Sequence, residues 1–147
     1  VGAGGTALPT IMALAETGIT DVTVVARDAG RAAPVLELCE RLGMNGDVVP
    51  FEPAEALARR CRESAVVVST VPADAAAVLT PAVARARKVV DVIYDPWPTP
   101  LASAVDAAGG TVVGGLVMLV NQAFRQVEQF TGLPAPRDVM VAALTAD

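Results

Sequence analysis

Three groups of residues in this sequence have types and spacings that could do chemistry. After Val1 comes GAGGTA, which sets Gly2, Gly4 and Ala7 in the order G-x-G-x-x-A. Glycine suits a tight turn and lets backbone approach a pyrophosphate, whose charge then sits on the N-terminus of the next helix. Glycines also make ordinary turns, so the motif gains meaning only because a helical stretch follows directly and a strand-like run follows that. At the end of that run, roughly 20 residues on, a dinucleotide's ribose would be read. An acidic residue there suits a free 2′-hydroxyl, whereas this sequence has Ala26, then Arg27, Asp28 and Arg31. Arginine suits a 2′-phosphate through charge-assisted, bidentate hydrogen bonds, which favours NADP over NAD. The same arginines also read as surface charges flanking a helix start. Asp28 reads either as a carboxylate repelling the phosphate or as the cap of that helix.

The third group is Met118 and Gln122, spaced i and i+4, which project together from the first turns of a helix beside Gly114 and Gly115. A soft apolar group next to an amide suits a nicotinamide ring and a substrate hydroxyl; packing on a neighbouring helix and simple solvation are the alternatives. Other reactive types are sparse. The chain has no histidine, the commonest general acid–base group. Its single lysine, Lys88, opens an apolar strand, at the end away from where open α/β sheets gather ligands, and reads as a solvated strand end. Cys39 and Cys61 have no paired spacing and read as reduced thiols in or near the core. No metal site and no catalytic residue is expected from these types.

The elements that must position these groups alternate. Strands are expected over 21–26, 47–50, 65–70, 88–93 and 111–113, and helices over 7–17, 30–42, 53–62, 74–84, 100–107, 116–130 and 137–144. Such alternation predicts an α/β fold with a Rossmann-like, doubly wound parallel sheet followed by C-terminal helices. Thr99-Pro100 reads as an N-cap with proline at the first helical position. In the helix over 116–130, Leu116, Leu119, Val120, Ala123, Val127 and Phe130 form one apolar stripe. The glycine loop, Arg27, Ser69 to Pro72, Tyr94 to Pro100 and Gly114-Gly115 all follow carboxyl ends of strands, where such sheets bind ligands.

At 147 residues, 53% of them apolar and 18% charged, the chain suits one compact domain with a buried sheet. A net charge of −5 with three Phe, one Trp and one Tyr lacks the basic face and stacking aromatics of a nucleic-acid binder. Apolar runs fall far short of the roughly 20 residues that span a bilayer, and no signal peptide is visible, so the reading is of a cytoplasmic protein without a membrane partner.

Taken together, the blocks resemble the cofactor-binding domain of shikimate dehydrogenases. VGAGGTA is similar to that family's GAGGA loop, VVARDAGRA to its N-R-T-x-x-R segment and VVSTVP to its N-A-T-P segment. VVDVIYDPWPTPL resembles its D-x-x-Y-x-P-x-x-T-P-L stretch, and GGLVMLVNQAFRQVEQFTG its D-G-x-x-M-L-x-x-Q-A segment. The resemblance implies that Gly2, Ala3, Gly4, Gly5 and Thr6 hold a pyrophosphate. It places Arg27, Asp28 and Arg31 at the 2′-phosphate, and Thr70, Val71, Val92, Gly115 and Met118 on the nicotinamide side. Tyr94 and Gln122 would reach the substrate. The implied reaction is hydride transfer between NADP(H) and the 3-dehydroshikimate/shikimate pair. Ala26 and Asp28 replace the family's Asn and Thr, which leaves NAD open as a cofactor, and Gly114 stands where an Asp is usual.

The family's proton-transferring Lys and Asp lie in a separate N-terminal substrate domain, with which Lys88 does not align. Residues 1–147 are therefore expected to be the NADP-binding domain alone, inactive by itself. Val1 would be the last residue of a truncated first strand whose loss leaves a gap in the sheet. A quinate-type dehydrogenase of the same family, and a non-catalytic dinucleotide-binding sensor or regulatory module, are the rival readings.

Overall fold

The computed structural model describes residues 1–144. Helices and strands alternate as α1 (Ala7–Glu16), β1 (Asp21–Ala26), α2 (Ala29–Arg41), β2 (Asn45–Pro50), α3 (Glu55–Glu63), β3 (Val67–Ser69), α4 (Ala73–Ala77), α5 (Thr80–Val83), β4 (Lys88–Asp91), α6 (Pro100–Ala107), β5 (Thr111–Gly114), α7 (Gly115–Thr131) and α8 (Arg137–Leu144). All strand pairs are parallel, as the alternation predicts.

The strands form two sheets, one of β1 and β2 and one of β3, β4 and β5, rather than a single continuous one. Val1 and Gly2 bridge the halves at their carboxyl ends. The Gly2 N–H donates to the Val25 carbonyl at 2.9 Å, the Val1 amine donates to the Val68 carbonyl, and the Thr70 N–H donates to the Val1 carbonyl at 2.9 Å. Behind that bridge a cleft lies between Val22 to Val25 on one side and Val66 to Val68 on the other, lined also by Ile11, Leu57 and Cys61.

Each half has its own core. Ala7 and Ile11 of α1, Val24 and Ala26 of β1, and Ala32, Val35 and Cys39 of α2 bury together. Leu57, Ala58 and Cys61 of α3, Leu79, Val83, Val89, Leu101 and Val105 form the second cluster. Val25 belongs to that second cluster, so β1 contributes to both. At about 25 cal/mol per Å² of apolar surface, these side chains supply the main driving force for folding.

Three expectations need correction. The strand over 65–70 shortens to Val67–Ser69, because only β4 pairs with it through a ladder. The helix over 74–84 divides into α4 and α5; Pro81 sits in the first turn of α5, where its missing N–H and fixed φ are tolerated but could not continue a helix from before it. On α7, Leu116 is 41% exposed and Phe130 86% exposed, while Phe124, at the edge of the expected stripe, is the buried anchor. Phe124 lies against Arg137 of α8, 5.1 Å from ring centroid to guanidinium carbon. Among the described residues, no helix is long and apolar enough to cross a membrane.

Candidate functional site

The glycine loop opens the site. Gly2 has φ of +103°, and a Cβ there would lie 2.6 Å from Thr70 Oγ1 and 2.8 Å from Val71 Cγ1. Its glycine therefore serves the turn and the close approach of the loop to β3's end. At Gly4 and Gly5 a Cβ would meet nothing within 4 Å. Open space thus lies over the start of α1, and Thr6, at the N-cap, makes no side-chain capping bond. A helix start so left presents backbone N–H groups and the positive end of its dipole to an anion. This is a cradle that a diphosphate fits.

The register of β1 on β2 pairs Ala26 with Pro50, so the next residues, Arg27 and Phe51, emerge side by side. The Arg27 guanidinium carbon lies 5.1 Å from the centroid of the Phe51 ring. Asp28 Oδ1 accepts the Gly30 N–H at 2.7 Å, which makes Asp28 the N-cap of α2. Of its two readings, the cap is the one the geometry shows. Arg31 follows in the first turn of that helix. A cleft of about 340 Å³ gathers Gly2, Ala3, Gly4, Arg27, Asp28, Arg31, Thr70 and Val71. Phe51, Pro72 and Ala75 complete its wall. Gly5 and Thr6 adjoin it in the loop.

The remaining expected residues sit along the neighbouring strand ends rather than in that cleft. The Val92 N–H donates to the Ser69 carbonyl at 3.1 Å, and the Gly115 N–H to the Ile93 carbonyl at 3.1 Å. A Cβ on Gly115 would stand 2.0 Å from the Val92 carbonyl oxygen, so α7 can start against β4 only with glycine there. Tyr94 is half exposed beyond β4; on α7, Met118 is partly buried and Gln122 exposed.

Two supports of this region were not anticipated from sequence. Asp91, fully buried at the end of β4, accepts the Thr99 hydroxyl at 2.7 Å through Oδ2 and the Ile93 N–H at 3.3 Å through Oδ1. Thr99 in turn accepts the Ala102 N–H at 3.0 Å, capping α6 as the Thr-Pro pair implied. The loop between them carries Tyr94, and its Trp97 ring covers Gly114, where a Cβ would come within 2.8 Å of Trp97 Cη2. Trp97 thereby fills the space a side chain at 114 would need, a physical reason for glycine at that position. Phe51 was missed as well, although its place one residue beyond β2, like that of Arg27 beyond β1, was the signal that could have found it.

Both cysteines are buried and unpaired, and burial raises their thiol pKa values. Lys88 is exposed at the start of β4. Among the described residues no group of three or more His, Cys, Asp or Glu side chains gathers as a metal site would.

Comparison with known proteins agrees with this architecture. A family profile described as the Shikimate 5′-dehydrogenase C-terminal domain matches residues 115–145. The shikimate dehydrogenase (NADP(+)) of Rhizobium etli is 36% identical over 151 residues, covering 99% of this chain and 50% of that protein. The solved structure of Mycobacterium tuberculosis shikimate dehydrogenase superposes with a TM-score of 0.93 at 50% identity, over 99% of this chain and 55% of that one. A shikimate 5-dehydrogenase from Mycobacterium fortuitum gives 0.90 at 54% identity, over 96% and 52%. The chain thus spans about half the length of the relatives it matches. With the motifs in place along the strand ends, this chain is similar through nearly all of its residues to shikimate dehydrogenases, in sequence and in its Rossmann-like fold, and its residues 115–145 match that family's C-terminal domain.

Proposed function

We propose that this chain is the cofactor-binding part of a cytoplasmic, NADP-dependent shikimate dehydrogenase, which interconverts 3-dehydroshikimate and shikimate. The observation that carries the reading is the convergence of the glycine loop, both arginines and Thr70-Val71 on one cleft. The amides at the head of α1 hold the pyrophosphate, with Gly4 and Gly5 leaving it room. Arg27 and Arg31 take the 2′-phosphate through their forked N–H donors, while Asp28 spends a carboxylate oxygen on its own helix. Thr70, Val71, Val92, Gly115 and Met118 border the nicotinamide, which supplies or accepts the hydride. Tyr94 and Gln122 reach the substrate from the same edge of the fold. Proton transfer is assigned to no residue of this chain, which has no histidine and carries Lys88 at the opposite end of β4. That step belongs to the Lys and Asp of the substrate domain that accompanies this one in the family. The names of the relatives, which specify NADP(+), support the cofactor.

Titration of the 147-residue chain with NADPH and NADH, followed by nicotinamide fluorescence, tests the reading. NADPH binding should be the tighter, and Arg27→Ala should abolish the difference while sparing NADH. Equal affinities in the parent chain would remove the 2′-phosphate assignment; binding of neither nucleotide would remove the cofactor reading itself.

A further inference from the structure

We propose that Phe51 is the positioning residue that sets the preference for NADP over NAD, by holding the Arg27 guanidinium ready for the 2′-phosphate. The inference rests on the reading of the cleft as a dinucleotide site. Three observations lead to it. First, the β1–β2 register delivers Arg27 and Phe51 to adjacent positions just beyond paired strand ends, with the cation 5.1 Å from the ring centroid. Second, Phe51 is anchored: it is partly buried and packs against the core cluster that holds Val25, Leu57 and Val67. Third, Arg27 forms no salt bridge among the described residues, and its neighbour Asp28 is engaged with Gly30. The aromatic ring is therefore what holds this guanidinium.

A guanidinium stacked on an aromatic face keeps its in-plane N–H donors free, and those are the donors that form a fork on a phosphate. An exposed arginine without such a support must give up rotamer freedom when it binds. A ring fixed to the core removes part of that loss in advance, so the benefit appears only for a ligand that engages Arg27. NADPH carries the 2′-phosphate and NADH does not. Phe51 therefore acts on the ratio of the two affinities rather than on dinucleotide binding as such.

The test compares dissociation constants for NADPH and NADH in the 147-residue chain and its variants, with far-UV circular dichroism to verify folding. Phe51→Leu keeps an apolar side chain against the core and removes the π-face. It should weaken NADPH roughly three- to tenfold, the size of a cation–π contact, and leave NADH unchanged. Phe51→Tyr should keep the parent ratio. Arg27→Lys, at an exposed position that does not depend on the core, retains the charge without the planar fork of donors and should lose preference as Phe51→Leu does. In an Arg27→Ala background, Phe51→Leu should change the ratio no further. Equal weakening of both nucleotides by Phe51→Leu would make the ring an adenine platform and overturn the proposal, as would an unchanged ratio in Phe51→Leu or Arg27→Lys. Failure of the parent chain to bind either nucleotide would overturn the cofactor reading with it, an outcome distinct from NADPH-preferring binding that ignores Phe51.

Discussion

Glycines with the same identity do different work in this site, and substitution separates them. At Gly4 and Gly5 the backbone has no positive φ and an added methyl meets nothing within 4 Å. Alanine there also narrows the unfolded ensemble, so Gly4→Ala should leave the stability of the unliganded chain within about 0.5 kcal/mol of the parent. NADPH affinity should fall at least about tenfold, because the methyl enters the space proposed for the pyrophosphate. At Gly115 the added methyl would overlap the Val92 carbonyl, and Gly115→Ala should cost about 1–3 kcal/mol in urea unfolding before any ligand is considered. A stable Gly115→Ala, or a Gly4→Ala that binds normally, would reverse these assignments. The G-x-G-x-x-A spacing makes the loop legible but does not say which glycine faces a ligand and which faces the protein. Gly2 and Gly4 look alike in sequence, and only the fold brings Thr70 and Val71 against the first of them.

At the scale of elements, the Tyr94 loop is held by contacts that join three different elements. The Asp91–Thr99 hydrogen bond ties the end of β4 to the start of α6, and Trp97 closes over the last residue of β5. Thr99→Val preserves the shape of the side chain and removes its hydroxyl. It should cost about 2–4 kcal/mol, combining a lost N-cap with a buried carboxylate oxygen left without its donor. Urea denaturation measures this directly, and a loss below about 0.5 kcal/mol would show that water replaces the bond. The cap on α6 was legible because Thr-Pro carries its own local chemistry. Asp91 was not, since within K-V-V-D it looks like any polar residue at a strand end, and its partner enters only after the chain has turned. The stripe on α7 failed for a related reason: periodicity names an apolar face without naming what covers it. Phe124, covered by Arg137, outranks Phe130, whose ring is 86% exposed.

Across the whole molecule, the seam between the two sheets passes beneath the proposed cofactor. Arg27, Asp28, Arg31 and Phe51 come from the β1–β2 half and Thr70 and Val71 from the β3–β5 half, with Gly2 between them. The parallel alternation was legible throughout the chain. That the ladders would separate into two sheets depends on pairings across the gap, which no local pattern encodes. Strand parity shows what the gap exposes. Because the Val25 carbonyl faces Gly2 and the Val68 carbonyl faces Val1, the backbone groups of Thr23 and Val68 point into the seam, while those of Val24 and Val67 point at β2 and β4. Hydrogen exchange followed by NMR should therefore find the Thr23 and Val68 amides at least about a hundredfold less protected than those of Val24 and Val89. A Val- and Ile-rich extended segment joined ahead of Val1 should protect both amides and raise Tm, since it offers partners to two open strand edges at once. Equal protection of all four amides without that segment would mean that the halves already close on each other along the seam.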